Sequence, residues 1–343
     1  MQYNPLMAEV HVLLTLPFPD PLLERLRTIS PDLRIHQHTA RTADDLPQDL
    51  LPDVEILYTL SSLPLPEQAP SLRWVQFHHA GIDHVLDHPL LRSNITITTL
   101  SGAAAPQMGE FVLTSILALG HRLPRLERDK REKRWAEDRF ERFRPFELRG
   151  STVGILGYGS VGREVARLCR AFGAHVLASK RDLMHPEDVE YQPSGLGDPG
   201  GELIDRLYPP QATGSMASLC DFLVVTVPLT SETRGLVGRS VFRSMKPSAF
   251  LIDVSRGGVV DHGALVEALT VKRLAGAALD VYPVEPLPES SPLWEMANVI
   301  LSPHIAGASG EYFERALDVF RENLRRYLAG QPLLNRYDRQ RGY

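Results

Sequence analysis

The sequence of 343 residues is poor in cysteine and has no long hydrophobic segment. Its two cysteines, Cys169 and Cys220, are too few and too far apart to indicate a disulfide framework or a thiolate metal site, so we expect no metal. The longest mostly apolar run, residues 111–120, is much shorter than the roughly 20 residues that a membrane-spanning helix needs. The N-terminal segment lacks the basic and then apolar pattern of a signal peptide. We therefore expect a soluble, cytoplasmic protein with no membrane partner.

The sequence also lacks a large excess of charge of either sign. Its 37 lysines and arginines stand against 42 aspartates and glutamates, a formal net charge of -5, so nucleic acid is not an expected partner. Hydrophobic residues make up 43% and charged residues 23%, as in folded soluble proteins. A chain of this length has room for two domains, which excludes a single small module.

The N-terminal third of the sequence predicts a small α/β domain. Short β-branched or aromatic runs separated by helix-like connections indicate parallel strands, and these runs are residues 10–14, 54–58, 74–77 and 95–99. Apolar residues at helical spacing over 312–328 predict a last helix whose apolar stripe returns to this domain. We therefore assign residues 1–105 and 308–343 to one discontinuous domain.

Residues 122–149 have an unusual composition for this chain. They hold eleven lysines or arginines against seven aspartates or glutamates, and the two signs are interleaved. This pattern is typical of a solvated helix or arm rather than of a nucleic-acid site. The aromatic residues of the segment need burial, which packing on a second subunit would supply; these residues are Trp135, Phe140, Phe143 and Phe146.

From residue 151 the sequence repeats strand-then-helix units. Several of the strand-like runs are continuously apolar, as in strands buried on both faces of a parallel sheet. The predicted strands are residues 152–156, 175–178, 222–227, 249–254, 275–280 and 299–301. We therefore predict a doubly wound parallel sheet in a second domain, residues 106–307.

A glycine motif follows the first strand of this second domain. Gly157, Gly159 and Gly162 fit the pattern G-x-G-x-x-G, directly after a strand and directly before a predicted helix. The first glycine allows a tight turn, the second lets the backbone approach a pyrophosphate, and the third lets helix and strand pack closely. The N-terminus of the helix adds N–H donors for the anion. We predict a dinucleotide bound by residues 157–162, namely Gly157, Tyr158, Gly159, Ser160, Val161 and Gly162.

The end of the second strand of this domain indicates which dinucleotide binds. An NAD site needs an acidic residue there for the ribose hydroxyls, and the same acid would repel a 2′-phosphate. This strand instead ends in Ser179, Lys180 and Arg181. Cations of this kind bind phosphate through charge-assisted hydrogen bonds. NADP(H) is therefore favoured, and NAD(H) remains possible if Asp182 takes the ribose in a shifted register.

Residues 182–216 are too rich in turn-forming residues for an ordinary connection. They include five glycines and five prolines, so we interpret them as an insertion in the cofactor domain. The insertion is expected to be either a flexible surface loop or a flap over the cofactor.

Charged residues follow three further predicted strands. Arg256, Glu285 and His304 each come shortly after the end of a different strand. Because ligands of open α/β sheets bind at the carboxyl ends of the strands, we expect these three side chains to meet there. They are the candidate catalytic residues.

Over essentially its whole length the chain resembles the D-isomer-specific 2-hydroxyacid dehydrogenase family. The residues that carry the resemblance are the glycine turn 157–162 and the blocks 227–235, 254–258, 279–286 and 303–307. The resemblance implies an α/β fold with a Rossmann-type doubly wound cofactor domain and a smaller flavodoxin-like substrate domain. It also implies a homodimer held through the cofactor domain.

The resemblance implies further ligand contacts. Backbone N–H groups of Ala80 and Gly81 would bind the substrate carboxylate, and the side chains of Arg256 and His304 would also contact the substrate. Further cofactor contacts are implied at Val227, Pro228, Thr233, Val254, Ser255, Asp280 and Gly307.

The expected chemistry is hydride transfer between a nicotinamide and a small 2-keto or 2-hydroxy acid. Imidazole is the usual proton-transfer group near neutral pH, so His304 would be the acid. Glu285 would favour the imidazolium and orient it, and Arg256 would bind the carboxylate and polarise the carbonyl. With a basic cofactor corner, the glyoxylate/hydroxypyruvate reductase branch of the family is favoured. The alternatives are a phosphoglycerate dehydrogenase-like enzyme that uses NAD, and a non-catalytic dinucleotide-sensing scaffold of the corepressor type.

Overall fold

The computed structural model describes residues 9–188 and 190–343. The chain divides into two compact units, one comprising the residues up to 103 together with 310–343, the other comprising residues 104–309. The strands are β1 Val10–Leu14, β2 Leu33–Gln37, β3 Val54–Thr59, β4 Trp74–Phe77, β5 Thr96–Thr98, β6 Thr152–Leu156, β7 His175–Ser179, β8 Arg206–Tyr208, β9 Phe222–Val225, β10 Phe250–Asp253, β11 Gly276–Leu279 and β12 Val299–Leu301. The α-helices are α1 Asp20–Arg27, α2 Ala105–Gly120, α3 Leu123–Arg131, α4 Arg139–Arg142, α5 Ser160–Ala171, α6 Thr213–Ala217, α7 Arg239–Ser244, α8 His262–Thr270 and α9 Tyr312–Leu328.

The first unit is built on a five-stranded parallel sheet with the order β2-β1-β3-β4-β5. This is the flavodoxin-like strand order, in agreement with the fold predicted from the sequence. The last helix of the chain, α9, belongs to this unit because its apolar stripe packs on the sheet. The ring of Phe320 lies 4.8 Å from that of Tyr58 and 5.4 Å from that of Trp74.

The second unit is built on a seven-stranded parallel sheet with the order β12-β11-β10-β9-β6-β7-β8. Strands β9, β10 and β11 are buried at every position, as expected for apolar strands covered by helices on both faces. The chain starts at β6, winds out to β8 and then returns to β9, which is the doubly wound pattern of a Rossmann fold. The predicted fold class is therefore confirmed, and the carboxyl ends of β6, β9, β10, β11 and β12 lie at one edge of the sheet.

Two strands were not predicted from the sequence, and one of them shortens the expected insertion. Strand β8 pairs in parallel with β7 at the edge of the sheet, and α6 follows it, so residues 206–217 are largely regular structure rather than loop. The other strand, β2, is an edge strand of the first unit. Both strands have few buried residues, so they lack the apolar pattern that makes interior strands recognisable.

Residues 122–149 form α3 and α4 with irregular connections between them. Phe146 packs on the sheet, its ring lying 5.7 Å from that of Phe222. In contrast, the side chains of Trp135 and Phe140 are 84% and 79% exposed in the single chain. Among the described residues, no helix combines the length and the apolar character needed to cross a bilayer.

Candidate active site

The glycine turn joins β6 to α5 in the second unit. Gly157 has φ 101°, a left-handed conformation that favours glycine, and a Cβ there would lie 2.9 Å from Cγ1 of Val227. A Cβ on Gly162 would collide with the carbonyl oxygen of Gly157. Thr226, just after β9, donates its hydroxyl to the Gly157 carbonyl at 2.8 Å. These contacts fix the turn against the neighbouring strand end.

The space beside Gly159 fits a dinucleotide phosphate. A Cβ at this position would meet no protein atom within 4 Å, so the backbone of the turn is open to a ligand. Gly159 is also the N-cap of α5 and provides no side chain to cap the first helical N–H groups. The N–H groups at the N-terminus of a helix and the positive end of its dipole suit an anion at this place. The turn can therefore hold the pyrophosphate of a dinucleotide.

The residues after β7 lie beside this turn, because the carbonyl oxygen of Ser179 accepts hydrogen bonds from the N–H groups of Gly157 and Tyr158 at 3.2 and 3.1 Å. Ser179 is buried and Lys180 is half-buried. The side chain of Arg181 reaches Glu232, with Nη2 at 2.8 Å from Oε2. The carboxylate of Asp182 is engaged by its own loop, with Oδ1 accepting from the N–H of Met184 at 3.0 Å.

Glu285 and His304 form a hydrogen-bonded pair. Nδ1 of His304 lies 2.8 Å from Oε2 of Glu285, and the N–H of Tyr282 donates to Oε1 at 3.0 Å. Burial opposes ionisation of Glu285, but the bonds from His304 and Tyr282 and the nearby charge of Arg256 outweigh it and lower the pKa of Glu285. The ionised carboxylate accepts from Nδ1–H, which leaves Nε2 of His304 as the ring nitrogen for proton transfer.

Asp280 and Tyr282 hold the loop that carries His304. Oδ1 of Asp280 accepts from Ser302 Oγ at 2.7 Å, and the N–H groups of Ile305 and Ala306 donate to the same carboxylate at 2.9 Å. The hydroxyl of Tyr282 lies 2.9 Å from the carbonyl oxygen of Ser302. His304 itself has φ 54°, a conformation uncommon for residues other than glycine. The surrounding bonds maintain this backbone conformation.

Asp253 supports the segment that carries Arg256. Its Oδ1 accepts from the N–H and the hydroxyl of Ser255 at 3.0 and 2.6 Å, and Nη1 of Arg256 donates to the Ser255 carbonyl at 2.8 Å. Asp253 is fully buried, and burial raises its pKa to about 7, with a further contribution from the charge of Asp280. Asp253 and Tyr282 were not assigned roles from the sequence.

The other expected cofactor residues lie at the same carboxyl edge or in the loops beyond it. Val227 and Pro228 follow β9, and Val254 and Ser255 follow β10. Thr233 braces the loop after β9, its hydroxyl donating to the carbonyl of Pro228 at 2.6 Å. The carbonyl oxygen of Gly307 accepts a hydrogen bond from Nε2 of Gln107 at 2.7 Å. The second unit thus brings together the predicted catalytic residues and the predicted dinucleotide residues.

The expected carboxylate-binding residues, Ala80 and Gly81, lie in the first unit. They come shortly after β4, and Ala80 is exposed. The preceding His78 is buried and is fixed by the hydroxyls of two tyrosines. Nδ1 of His78 lies 2.7 Å from the Tyr58 hydroxyl, and the Tyr312 hydroxyl donates to the His78 carbonyl at 2.7 Å. His78, at the start of this loop, is therefore held in place, while Ala80 remains exposed.

Comparisons with known proteins identify the family of the chain. The family model for the NAD binding domain of D-isomer specific 2-hydroxyacid dehydrogenases matches residues 113–306 of this chain. A glyoxylate reductase of Aeropyrum pernix is 34% identical over 297 residues, which are 84% of each chain. A D-isomer specific 2-hydroxyacid dehydrogenase of Xanthobacter autotrophicus, solved with NADPH, has a TM-score of 0.80 at 29% identity and covers 98% of this chain and 100% of its own. An NADPH-dependent glyoxylate/hydroxypyruvate reductase of Sinorhizobium meliloti, solved with NADP, has a TM-score of 0.75 at 25% identity, with coverage of 97% and 100%.

The chain belongs to the D-isomer-specific 2-hydroxyacid dehydrogenase family, as its sequence predicted. It is an oxidoreductase with a domain for a nicotinamide dinucleotide, and the family acts on small 2-keto and 2-hydroxy acids.

Replacing Gly159 by alanine is expected to weaken cofactor binding without unfolding the protein. The new methyl group meets no protein atom, so the free energy of unfolding should change by no more than about 1 kcal/mol. The methyl group would occupy the ligand's space, so the dissociation constant for the dinucleotide should rise about tenfold or more. Calorimetric titration with NADPH and NADH measures this change.

Gly162→Ala is the matched control. Its methyl group collides with the Gly157 carbonyl, so this variant should lose about 1 to 3 kcal/mol of stability. Unchanged dinucleotide binding by Gly159→Ala would contradict the assignment of this turn.

Asp253→Asn is expected to change how stability depends on pH. Between the unfolded pKa of 3.8 and a folded pKa of about 7, the folded protein binds more protons than the unfolded chain, so the wild type loses stability as the pH rises. Asparagine cannot ionise and avoids this loss. The stability of the variant relative to the wild type should therefore increase by about 2 to 3 kcal/mol from pH 5 to pH 8.

Denaturant unfolding at both pH values measures the effect, and the exposed substitution Asp87→Asn serves as control. Parallel pH profiles for wild type and Asp253→Asn would show that Asp253 is ionised in the folded protein throughout this range.

Proposed function

We propose that the protein is an NADPH-dependent reductase of small 2-keto acids, with glyoxylate and hydroxypyruvate as its favoured substrates. The observation that carries the proposal is the hydrogen-bonded pair of His304 and Glu285, with the charge of Arg256 acting on the same carboxylate. These three side chains follow adjacent strands of one sheet, at the edge that also carries the glycine turn.

His304 serves as the proton donor during reduction. Glu285 accepts the Nδ1–H bond and so fixes the ring, and Nε2–H then faces the carbonyl oxygen of the substrate. The ionised Glu285 stabilises the imidazolium before the transfer. Reduction adds a hydride to the carbonyl carbon and a proton from Nε2 to its oxygen, which gives the 2-hydroxy acid. In the reverse direction neutral His304 accepts the hydroxyl proton.

Arg256 binds the substrate carboxylate and stabilises the charge that develops on the carbonyl oxygen. The next residue, Gly257, packs its backbone directly against the carbonyl group of Tyr282, and a Cβ there would overlap that group. The position of Arg256 depends on this close contact. When bound, the nicotinamide supplies the hydride. Ala80 and Gly81 would add backbone N–H donors to the carboxylate.

NADPH is the proposed cofactor because β7 is followed by two cations where an NAD site would have an acid. Lys180 and Arg181 follow the strand, and the carboxylate of Asp182 is already paired with His185, with Oδ2 at 2.8 Å from Nδ1. An acid in that state is poorly placed to bind both ribose hydroxyls. The NADPH and NADP bound by two structural relatives support the same choice.

Activity measurements with both cofactors test the proposal. We expect turnover of glyoxylate and hydroxypyruvate with NADPH, and a higher kcat/KM with NADPH than with NADH. His304→Ala and Arg256→Ala should each lower kcat by about two to four orders of magnitude. His38→Ala, a histidine of the first unit that bonds a backbone carbonyl, should have no effect.

Near-normal turnover in either catalytic variant would refute the assigned roles. A preference of the wild type for NADH would refute the cofactor assignment and favour the phosphoglycerate dehydrogenase-like alternative. No turnover across a panel of small 2-keto acids would favour the dinucleotide-sensing scaffold.

We also propose a homodimer formed through the unit of residues 104–309. The exposed rings of Trp135 and Phe140 lie in one segment of this unit and would be buried against a second copy. Large aromatic side chains contribute strongly to protein interfaces.

The double variant Trp135→Ser/Phe140→Ser should shift the protein from dimer to monomer in light scattering coupled to size-exclusion chromatography. Val271→Ser, at an exposed apolar residue outside this segment, is the control and should remain dimeric. A monomeric wild type, or a dimeric double variant, would contradict the proposed interface.

A further inference from the structure

Residues 182–188 and 190–205, here called the docked loop, connect β7 to β8 and contain no helix or strand among the described residues. The loop is nevertheless closely attached to the start of α5. The N–H of Gly197 donates to Oε2 of Glu164 at 2.8 Å, and the side chain of Asp198 is buried. These contacts distinguish it from the flexible surface loop that its composition allowed.

The central anchor of the docked loop is Arg163, in the first turn of α5. Its side chain has no exposed surface. The guanidinium donates to the carbonyl oxygens of Asp198 and Pro186, and Nε lies 3.3 Å from Oδ2 of Asp188. Separation of the loop would leave this buried charge without its partners, which is strongly unfavourable. The loop is therefore a fixed part of the fold rather than a flap.

A second anchor joins the docked loop to the glycine turn itself. The hydroxyl of Tyr158 donates to Oδ2 of Asp198, and the Arg163 guanidinium lies 4.5 Å from the centre of the Tyr158 ring. Asp198 also accepts from the N–H groups of Glu202 and Leu203 at 2.9 Å. Burial and the bond to Asp198 raise the pKa of Tyr158, so its hydroxyl keeps the proton that it donates.

The docked loop also holds Lys180. The ammonium group of Lys180 donates to the carbonyl oxygen of His185 and, at 2.9 Å, to that of Glu187. An ammonium has three N–H donors, so one donor remains for a phosphate oxygen. A lysine side chain is flexible, and holding it in place beforehand reduces the entropy lost when it binds a ligand.

We propose that the docked loop is a specificity element for the 2′-phosphate of the cofactor: its carbonyl groups position Lys180, and Arg163 positions the loop. Arg163 is a positioning residue, because it acts on the phosphate only through the loop and Lys180. This inference rests on the proposed use of NADPH. The phosphate would occupy the side of Lys180 that the loop carbonyls leave open.

Binding of two nucleotide fragments tests the proposal without catalysis. Adenosine 2′,5′-bisphosphate carries the 2′-phosphate, whereas adenosine 5′-monophosphate does not. We expect the wild type to bind the bisphosphate more tightly, and Lys180→Met to reduce this ratio of dissociation constants about tenfold or more. Arg163→Met should reduce the ratio several-fold, and the double variant should be no worse than Lys180→Met alone.

Arg239→Met is the control. This arginine lies on α7 and pairs with Glu267, so the ratio should be unchanged. If Arg163→Met does not fold, Asp188→Asn weakens the same anchor while it keeps the buried arginine, and the ratio should again fall.

The outcomes separate the two proposals. Two results would overturn the role of the docked loop and leave the NADPH proposal intact. One is that Arg163→Met or Asp188→Asn weakens the binding of both fragments equally, and the other is that the effects add in the double variant. A wild type that binds the two fragments equally would overturn the cofactor proposal itself. Steady-state kinetics add a second readout, since loss of positioning should raise the KM for NADPH with little change in kcat.

Discussion

The carboxylate of Asp280 is the group on which the arrangement of the candidate active site depends. It lies directly after β11, yet its hydrogen-bond donors all come from the chain after β12, on both sides of His304. One buried carboxylate therefore fixes the path of the neighbouring loop and holds His304 at its positive φ. The pairing of His304 with Glu285 follows from this, because Glu285 belongs to the loop that starts at Asp280. The proposed catalytic pair, separated by nineteen positions in the chain, is thus held by a short network.

Three acidic residues at this edge have three different environments, and their chemistry differs accordingly. Asp280 accepts bonds at both oxygens, and Glu285 accepts from His304 and from backbone. Asp253 accepts at only one oxygen, and its other oxygen has no partner among the described residues. Burial then raises the pKa of Asp253 to about 7, whereas the pKa of Glu285 is lowered. Environment, not residue type, therefore separates a carboxyl whose ionisation is opposed by burial from one whose ionisation is favoured by its hydrogen-bond donors.

The sequence predicted the parts of the fold and site that depend on local pattern. Continuous apolar strands, the glycine turn and charged residues after successive strand ends could all be recognised, because parallel strands bring their carboxyl ends to one edge. The edge strand β8 escaped detection because it is short and mostly unburied. Arg163 and Asp198 were missed for another reason: an arginine on a helix gives no local sign that it will be buried against a loop more than thirty residues away. Such pairings depend on tertiary structure alone.

The attachment of the docked loop shows how one helical turn serves two purposes. The backbone at Gly159, just before α5, is open at the place where the dinucleotide phosphate is proposed to bind, whereas the side chains of Arg163 and Glu164 hold the loop. The anchors between residues 186 and 198 are polar and are directed at this helix and at Tyr158 in the glycine turn. The first part of the loop is therefore held by the glycine turn and α5, whereas Leu203 and Ile204 near its end pack against the hydrophobic core. A composition rich in glycine and proline is thus compatible with a loop that is held in place by specific contacts.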